Sequence, residues 1–288
     1  SEMCIRDRGS TPRGHGVNRV ARTRLWRVMT KTGAFALTLT ATLAAAPAAQ
    51  AMTFDPGKVP PRTQMTVRYA DGTVVSTPNG HESRPALSLV KLYLGTWVLK
   101  YGAPEDKARV ENMIRFSEDA TASDLERKYP QAIPGIIGEY QLGETHHNGY
   151  WGNTTTSTED LARFVGAIST DPAAAPIMKG MATAAPAASD GYRQDFGTAR
   201  IPAILGTKFG WSDDGQVHAT ASFGPGYTVA ANTYGSPADL TADVLGAVDV
   251  PTPPAAPPTP QDVRDRACEE LKRLAPSSSK TCNWQRNV

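Results

Sequence analysis

The sequence has few cysteines, few aromatic residues and no concentrated basic charge in its body. Of its 288 residues, three are cysteine and 7% are aromatic. Residues 1–51 hold eight of the 30 Lys and Arg residues but two of the 28 acids, so residues 52–288 carry a net charge of −4. A mildly acidic body without basic runs has no electrostatic attraction for phosphate backbones. The composition therefore argues against nucleic acid as a partner.

The N-terminal region also lacks an apolar run long enough for a membrane anchor. Residues 33–46 are uncharged and mostly apolar, whereas about 20 apolar residues are needed to cross a bilayer. This stretch follows Lys31 and leads to the small-x-small sequence at residues 49–51, a pattern typical of a secretory signal peptide. We expect cleavage after Ala51, export to the cell envelope or medium, and no membrane span in the mature protein. Met29 is a natural initiator for such a peptide, which leaves the status of residues 1–28 open.

Export determines how the cysteines are interpreted. Removal of residues 1–51 takes away Cys4 and leaves Cys268 and Cys282. In an oxidising compartment, a bridge closing a loop of about 15 residues contributes roughly 3 kcal/mol to stability. We therefore predict a Cys268–Cys282 disulfide, with two free thiols as the alternative.

A proline-rich stretch divides the mature chain. Residues 251–260 contain six prolines in ten, which favours an extended spacer. It separates a main domain (52–250) from a short tail (261–288). Thr259 as N-cap and Pro260 at the first helical position predict a helix at the start of that tail.

The main domain mixes helical and strand periods. Residues 64–70 and 73–76 flank Asp71-Gly72 and predict a hairpin with a type I′ turn. Residues 87–101 are apolar nearly all round, which predicts a helix buried on every side. The other predicted elements are strands at 200–207, 216–223 and 227–233 and helices after Ser157 and at 239–248. The sequence therefore predicts an α+β fold with an antiparallel sheet flanked by helices.

Ser88 and Lys91 lie at the start of the buried helix. A spacing of three stacks two helical side chains, so the lysine amine can reach the serine hydroxyl. A hydroxyl needs an adjacent base to act as a nucleophile, and a desolvated lysine can serve as that base. The alternative is a surface lysine beside an N-cap serine. A second Ser-x-x-Lys, Ser277 to Lys280, lies in the polar tail.

Two further motifs follow in chain order. Ser117-x-Asp119 by itself fits a helix cap, and Lys208-x-Gly210 ends an apolar segment. Together with Ser88-x-x-Lys91 they resemble the three motifs of penicillin-binding proteins and serine β-lactamases, over roughly residues 60–250. This resemblance implies a β-lactamase/transpeptidase-like fold.

The resemblance also implies roles for the motif residues. Ser88 is the expected nucleophile, Lys91 its base, Ser117 the proton relay to the leaving amine, and Lys208 an electrostatic group. The backbone N–H groups of Ser88 and Trp211 form the expected oxyanion hole. Asp119, Gly210 and Trp211 are the expected substrate-binding residues.

The chain also departs from the family pattern. Phe209 replaces a hydroxyl residue that binds a substrate carboxylate, and Asp119 stands where an amide is commoner. Glu139 and Glu144 precede Asn153, but neither lies in the Glu-x-x-x-Asn context of a class A deacylating base. Efficient hydrolysis of an acyl-enzyme is therefore not expected.

The sequence thus predicts an exported, monomeric serine acyl-transfer enzyme acting on a peptidoglycan peptide ending in D-Ala-D-Ala or on a β-lactam, as a peptidase or weak β-lactamase. One alternative is a catalytically decayed, wall-associated binding protein on the same fold, and another is an esterase using the same serine. No metal or other cofactor is expected, because His146, His147 and His218 are not spaced as a ligand set.

Overall fold

The computed structural model describes residues 52–250 and 259–274. These ranges contain nine strands: β1 (Thr53–Phe54), β2 (Thr63–Tyr69), β3 (Val74–Ser76), β4 (Arg84–Pro85), β5 (Thr155–Thr156), β6 (Gly206–Trp211), β7 (Val217–Gly224), β8 (Tyr227–Tyr234) and β9 (Val248–Asp249). The same ranges contain eight α-helices: α1 (Val90–Tyr101), α2 (Pro104–Arg115), α3 (Asp119–Lys128), α4 (Ala132–Glu139), α5 (Thr158–Ser169), α6 (Ala175–Ala182), α7 (Pro237–Ala247) and α8 (Pro260–Leu274).

Five strands form one antiparallel sheet in the order β3–β2–β8–β7–β6. Strands β6, β7 and β8 follow one another in the chain and are joined by short turns. Strand β2, from the start of the domain, pairs with β8 over its whole length. Strand β6 is left at one edge of the sheet. The α+β fold with an antiparallel sheet flanked by helices is confirmed.

Each face of the sheet packs against helices. Alternate side chains of a strand point to opposite faces, so Ala230 contributes to one apolar cluster and Val229 to the other. The first cluster contains residues of α1 to α6. The second includes Leu240 and Val244 of α7.

Helix α1 is the buried helix that its composition predicts. It follows a single 3₁₀ turn at Leu87–Leu89, and its residues Val90 to Thr96 are all buried. Helices α2, α3, α4 and α6 surround it. The start of α1, which carries Ser88 and Lys91, therefore lies in the interior of the domain.

The turn between β2 and β3 differs from the expected type I′ turn. A type I′ turn needs positive φ at both central residues, but Gly72 has φ 90° and Asp71 is not among the residues with positive φ. The N–H of Gly72 donates to the carbonyl of Tyr69, and the Asp71 carboxylate accepts the N–H of Thr73 at 2.8 Å. The connection is therefore a three-residue loop with glycine at the left-handed position.

The strand predicted at 200–207 is wrong in its bounds. Residues Gly197–Arg200 form a 3₁₀ turn, and the strand β6 begins at Gly206. Pro202 cannot donate to a strand ladder, and Ala203 has φ 66°, so the chain cannot be extended there. Lys208 consequently lies inside β6 and not at its end.

The two ends of the main domain meet. Strands β1 and β9 pair with Thr53 opposite Asp249 and Phe54 opposite Val248. Helix α7, predicted at 239–248, begins at Pro237 because Ser236 and Asp239 form a capping box.

Helix α8 begins at Pro260, and the hydroxyl of Thr259 accepts the N–H of Asp262 at 3.1 Å, as the predicted cap requires. The predicted signal peptide, the spacer residues 251–258 and Cys282 lie outside the described residues, as does the side chain of Cys268. In the ranges 52–250 and 259–274, no helix is long and apolar enough to cross a membrane.

Candidate active site

The hydroxyl of Ser88 lies within hydrogen-bond distance of the Lys91 amine. Ser88 is the middle residue of the 3₁₀ turn, and Lys91 follows in the first turn of α1, so the two side chains stack. Lys91 Nζ donates to Ser88 Oγ at 2.5 Å. Leu87, immediately before the serine, has φ 54°, an uncommon conformation for a residue with a side chain. The sharp entry into α1 presents Ser88 at a cavity wall.

The amine of Lys91 has two further neighbours. It donates to Asp119 Oδ1 at 2.6 Å, and it lies 4.3 Å from the ring centre of Trp151. Lys91 is fully buried, whereas the Asp119 side chain is 62% exposed. Burial lowers the pKa of Lys91, and the Asp119 carboxylate opposes part of that shift. Lys91 is therefore easier to deprotonate than a surface lysine.

Ser117 and Lys208 form the second contact pair. Lys208 Nζ donates to Ser117 Oγ at 2.7 Å and to the carbonyl of Phe209 at 2.9 Å. Ser117 precedes α3 with φ 53°, and this strained backbone aims its hydroxyl toward β6. Burial holds the pKa of Lys208 well below its usual 10.5, and the charge of Lys91 acts in the same direction.

Strand β6 lies unusually close to Ser88. A Cβ atom added to Gly210 would lie 2.8 Å from Leu87 Cβ and 3.1 Å from the Ser88 nitrogen. Only glycine permits this approach, because these distances are below ordinary contact. The backbone N–H of Ser88 thus lies beside the end of β6.

The N–H of Trp211 is directed away from β7. The N–H of Ser212 donates to the carbonyl of Val217 at 2.9 Å, and hydrogen-bonded pairs alternate along an antiparallel ladder. Trp211, opposite His218, therefore occupies a non-hydrogen-bonded pair at the open edge of the sheet. The family resemblance assigns this N–H and that of Ser88 to the oxyanion hole, and that role stays a prediction.

A cavity of about 380 Å³ opens beside Ser88. Its wall includes three carboxylates and three aromatic rings: Asp119, Asp190, Asp213, Tyr150, Trp151 and Trp211. No lysine or arginine is among the described residues that line it. Phe209 does not line it either, because its ring is buried against Phe196, with 5.2 Å between ring centroids.

The structure thus brings all the residues of the three motifs to one place. Ser88, Lys91 and Asp119 are connected by hydrogen bonds, as are Ser117 and Lys208, while Gly210 lies against the backbone of Ser88 and Trp211 lines the cavity beside it. Their chemical roles stay predictions.

Two site residues escaped the sequence analysis. Trp151 lies against Lys91 because α3 holds it: its backbone N–H donates to Glu126 and its indole N–H to Ser123, both at 3.0 Å. Asp190 accepts the indole N–H of Trp211 at 3.1 Å. Neither residue lies in a periodic segment, so no sequence pattern marked it.

The two glutamates considered as deacylating bases face elsewhere. Glu139 contacts Lys100 and Tyr101, and Glu144 lies 3.4 Å from His81. Neither lines the cavity beside Ser88.

The three histidines considered in the sequence each contact different residues. His218 is buried with Nε2 2.5 Å from the Tyr192 hydroxyl and Nδ1 2.8 Å from the carbonyl of Gly235. His147 contacts Thr154, and His146 pairs through its backbone with Thr155. Among the described residues there is no group of three or more His, Cys, Asp or Glu side chains that could hold a metal ion.

No family model matches the sequence, and neither does any curated protein. Solved structures do match the fold. An ancestral class A β-lactamase superposes with a TM-score of 0.53 at 16% identity, covering 66% of this chain and 92% of that one.

Two natural enzymes give similar values. The β-lactamase from Sphaerobacter thermophilus has a TM-score of 0.52 at 14% identity, covering 64% of this chain and 89% of that one. The β-lactamase from Streptomyces albus G has a TM-score of 0.52 at 14% identity, covering 64% of this chain and 92% of that one. The chain therefore has the fold of the class A serine β-lactamases.

Proposed function

We propose that this protein is an exported serine acyl-transfer enzyme of the penicillin-recognising type, which forms a covalent acyl-enzyme at Ser88. The observation that carries the proposal is the 2.5 Å contact between Ser88 Oγ and Lys91 Nζ at the wall of a cavity. Acyl transfer needs a nucleophile, a base and donors for the developing negative oxygen, and we assign these roles to Ser88, to Lys91 and to the backbone N–H groups of Ser88 and Trp211.

Acylation begins with Lys91 in its neutral form, which burial favours. Its amine takes the Ser88 proton while Oγ attacks the carbonyl carbon of the acyl donor. The N–H groups of Ser88 and Trp211 stabilise the negative oxygen that forms, and each such donor contributes about 10²- to 10³-fold in rate. The bond to the leaving group then breaks, and Ser117, with Lys208 beside its hydroxyl, relays a proton: it donates its own proton to the leaving group and takes up the proton that Lys91 received from Ser88.

Release of the acyl group is the slow step in this proposal. Hydrolysis needs a base that activates water, and Glu139 and Glu144 are engaged outside the cavity. Asp119 is the nearest carboxylate, but it is paired with Lys91. The acyl-enzyme is therefore expected to persist, as in a penicillin-binding protein rather than an efficient β-lactamase.

The proposed compartment and substrate class rest on the sequence pattern. A signal peptide cleaved after Ala51 directs the protein to the cell envelope, where peptides ending in D-Ala-D-Ala occur. These peptides, or β-lactams that mimic them, are the substrates that the family resemblance implies.

A second candidate function is non-catalytic binding on the same fold. The ion pair of Asp119 with Lys91 favours it, because a carboxylate at 2.6 Å stabilises the charged amine, which cannot act as a base. In that case the cavity beside Ser88 binds an envelope ligand without forming a bond.

The mass of the intact protein distinguishes the two functions. The mature protein is incubated with high concentrations of several β-lactams, of a thioester of an acyl-D-alanine, and of a thioester whose leaving thiol carries no charge. An adduct that persists for minutes, and is absent in Ser88→Ala and Lys91→Ala, supports the enzyme. Ser169→Ala, which removes an exposed hydroxyl on α5, is the matched control and should be labelled like wild type. No adduct on the folded wild-type protein would favour the binding protein.

A further inference from the structure

The described residues that line the cavity beside Ser88 include no lysine or arginine that could pair with a carboxylate. Lys91 is the nearest cation, but it is fully buried and its ammonium is occupied by Ser88, Asp119 and the Trp151 ring. Lys208 is also fully buried and donates to Ser117 and to a backbone carbonyl. Neither lysine is among the residues that line the cavity.

The cavity wall carries negative charge in place of positive charge. Asp190 accepts two hydrogen bonds, from the N–H of Tyr192 and the indole of Trp211, and has no ion-pair partner among the described residues. Asp213 is exposed in the turn after β6, also without a described partner. Two carboxylates thus face one opening with no described cation between them.

Aromatic rings complete this wall. Tyr150 and Trp151 lie on one side with their ring centroids 5.2 Å apart, and Trp211 lies on the other, stacked on Tyr192 at 4.5 Å. Aromatic faces attract ammonium groups, and carboxylates beside them add to the attraction. A carboxylate brought to the same place meets repulsion from Asp190 and Asp213 and loses its hydration.

We infer that the acyl donor of the Ser88 site carries no free carboxylate beside its scissile bond and is preferred when that part bears a positive charge. This inference rests on the proposed acyl transfer at Ser88, but it replaces the carboxylate-bearing peptides and β-lactams that the family resemblance implies with neutral and cationic esters, thioesters or amides as the preferred substrates. Asp190 and Asp213 are the specificity-determining residues.

Three thioesters test the inference. They share one acyl group and differ in the end of the leaving thiol, which carries a trimethylammonium group, a tert-butyl group of the same shape, or a carboxylate. Attack by Ser88 forms the O–C bond and breaks the C–S bond, and the released thiol takes up the proton. Thiol release therefore reports acylation for all three compounds.

We expect kcat/KM to fall by roughly tenfold from the cationic to the neutral thioester and by at least as much again to the anionic one. The preference should shrink in Asp190→Asn and Asp213→Asn and at high salt, since exposed charges are screened. Asp249→Asn, an exposed residue of β9, is the matched control and should keep the full preference.

Binding to the Ser88→Ala variant separates this inference from the proposed function. Quenching of tryptophan fluorescence gives the affinity of each thioester without any reaction. The same order of affinities, with no thiol released by wild type, would refute acyl transfer but not the charge preference. Equal or tighter binding of the anionic thioester would overturn the inference, even if Ser88 is acylated.

Discussion

The carboxylate of Asp119 lies 2.6 Å from the ammonium of Lys91, on the side of that amine away from the protein core. One residue is fully buried and the other is mostly exposed. The pair therefore joins the proposed base to the solvent-facing wall of the cavity, and it sets how readily the base gives up its proton.

Replacing the Asp119 carboxylate by an amide should speed the acylation of Ser88 near neutral pH. Asp119 raises the pKa of Lys91 against the effect of burial, so in Asp119→Asn that pKa falls further below its usual value. More of the amine is then neutral, and the acid limb of the acylation rate against pH moves to lower pH. Asp124→Asn, also exposed on α3, is the control. If acylation instead drops to the level of Lys91→Ala, Asp119 itself carries the proton.

A methyl group at Gly210 should disable the site. The added Cβ comes within 2.8 Å of Leu87 Cβ, so the end of β6 must move away from Ser88. We expect Gly210→Ala to lose about 10²- to 10³-fold in acylation rate, as when an oxyanion donor is removed, and about 1–3 kcal/mol in stability. Gly246→Ala on α7 meets no atom within 4 Å and should keep full activity. Unchanged acylation by Gly210→Ala would argue against the oxyanion role of this strand.

Removing the buried amine of Lys208 should stabilise the folded protein and at the same time slow acylation. The folded-state pKa of Lys208 lies well below 10.5, so between these two values the unfolded chain binds a proton that the folded chain does not. The free energy of unfolding of wild type therefore rises with pH over that window, and Lys208→Met should lack this contribution.

At neutral pH, Lys208→Met should be more stable than wild type, because burial disfavours the charged form of this lysine in the folded chain. Its acylation rate should fall about 10²-fold. Chemical denaturation at pH 6, 8 and 10, with the exposed Lys58→Met as control, measures the stability difference. Lower stability of Lys208→Met at every pH would contradict this account.

A hydroxyl at position 209 should restore affinity for carboxylates. Phe209→Thr and Phe209→Val lose the same packing against Phe196, about 3 kcal/mol, but only the first gains a donor. One charge-assisted hydrogen bond is worth about 1.5–3 kcal/mol, so Phe209→Thr should be labelled by β-lactams roughly 10- to 100-fold faster than Phe209→Val. Equal rates for the two folded variants would show that the phenyl ring does not limit carboxylate binding.

The predicted disulfide can be examined directly. Peptides of the non-reduced exported protein should contain Cys268 linked to Cys282, with neither residue modified by an alkylating reagent. Reduction should expose both thiols. Two thiols that react fully before reduction would end the idea.

Local sequence patterns correctly predicted the position of Ser88 and Lys91 at the start of a buried helix. The spacing of Ser88 and Lys91 and the apolar character of α1 placed both residues in a buried first turn, and the cap at Ser157 correctly predicted α5. Helix α2 went unrecognised, although Val110, Met113 and Ile114 recur at helical spacing and are buried. That signal was present in the sequence.

Other features depended on long-range packing. Trp151 contacts Lys91 only because α3 holds the loop before β5, and Asp190 reaches the cavity from about a hundred residues beyond Ser88. The true start of β6 depended on backbone angles near Ala203. Periodicity carries no information about such approaches, since they are fixed by how distant elements pack.

The pairing of β1 with β9 has a consequence for the topology of the chain. Thr53 and Asp249 lie opposite each other, so their backbones are about 5 Å apart. A linker of a few glycines can therefore join the two ends of the main domain. New termini can then be placed in the exposed loop around Gly72, which leaves β6 and α1 uninterrupted. Such a circular permutant should keep the Ser88 cavity. In the natural order, the main domain therefore begins and ends at adjacent positions of one two-stranded sheet.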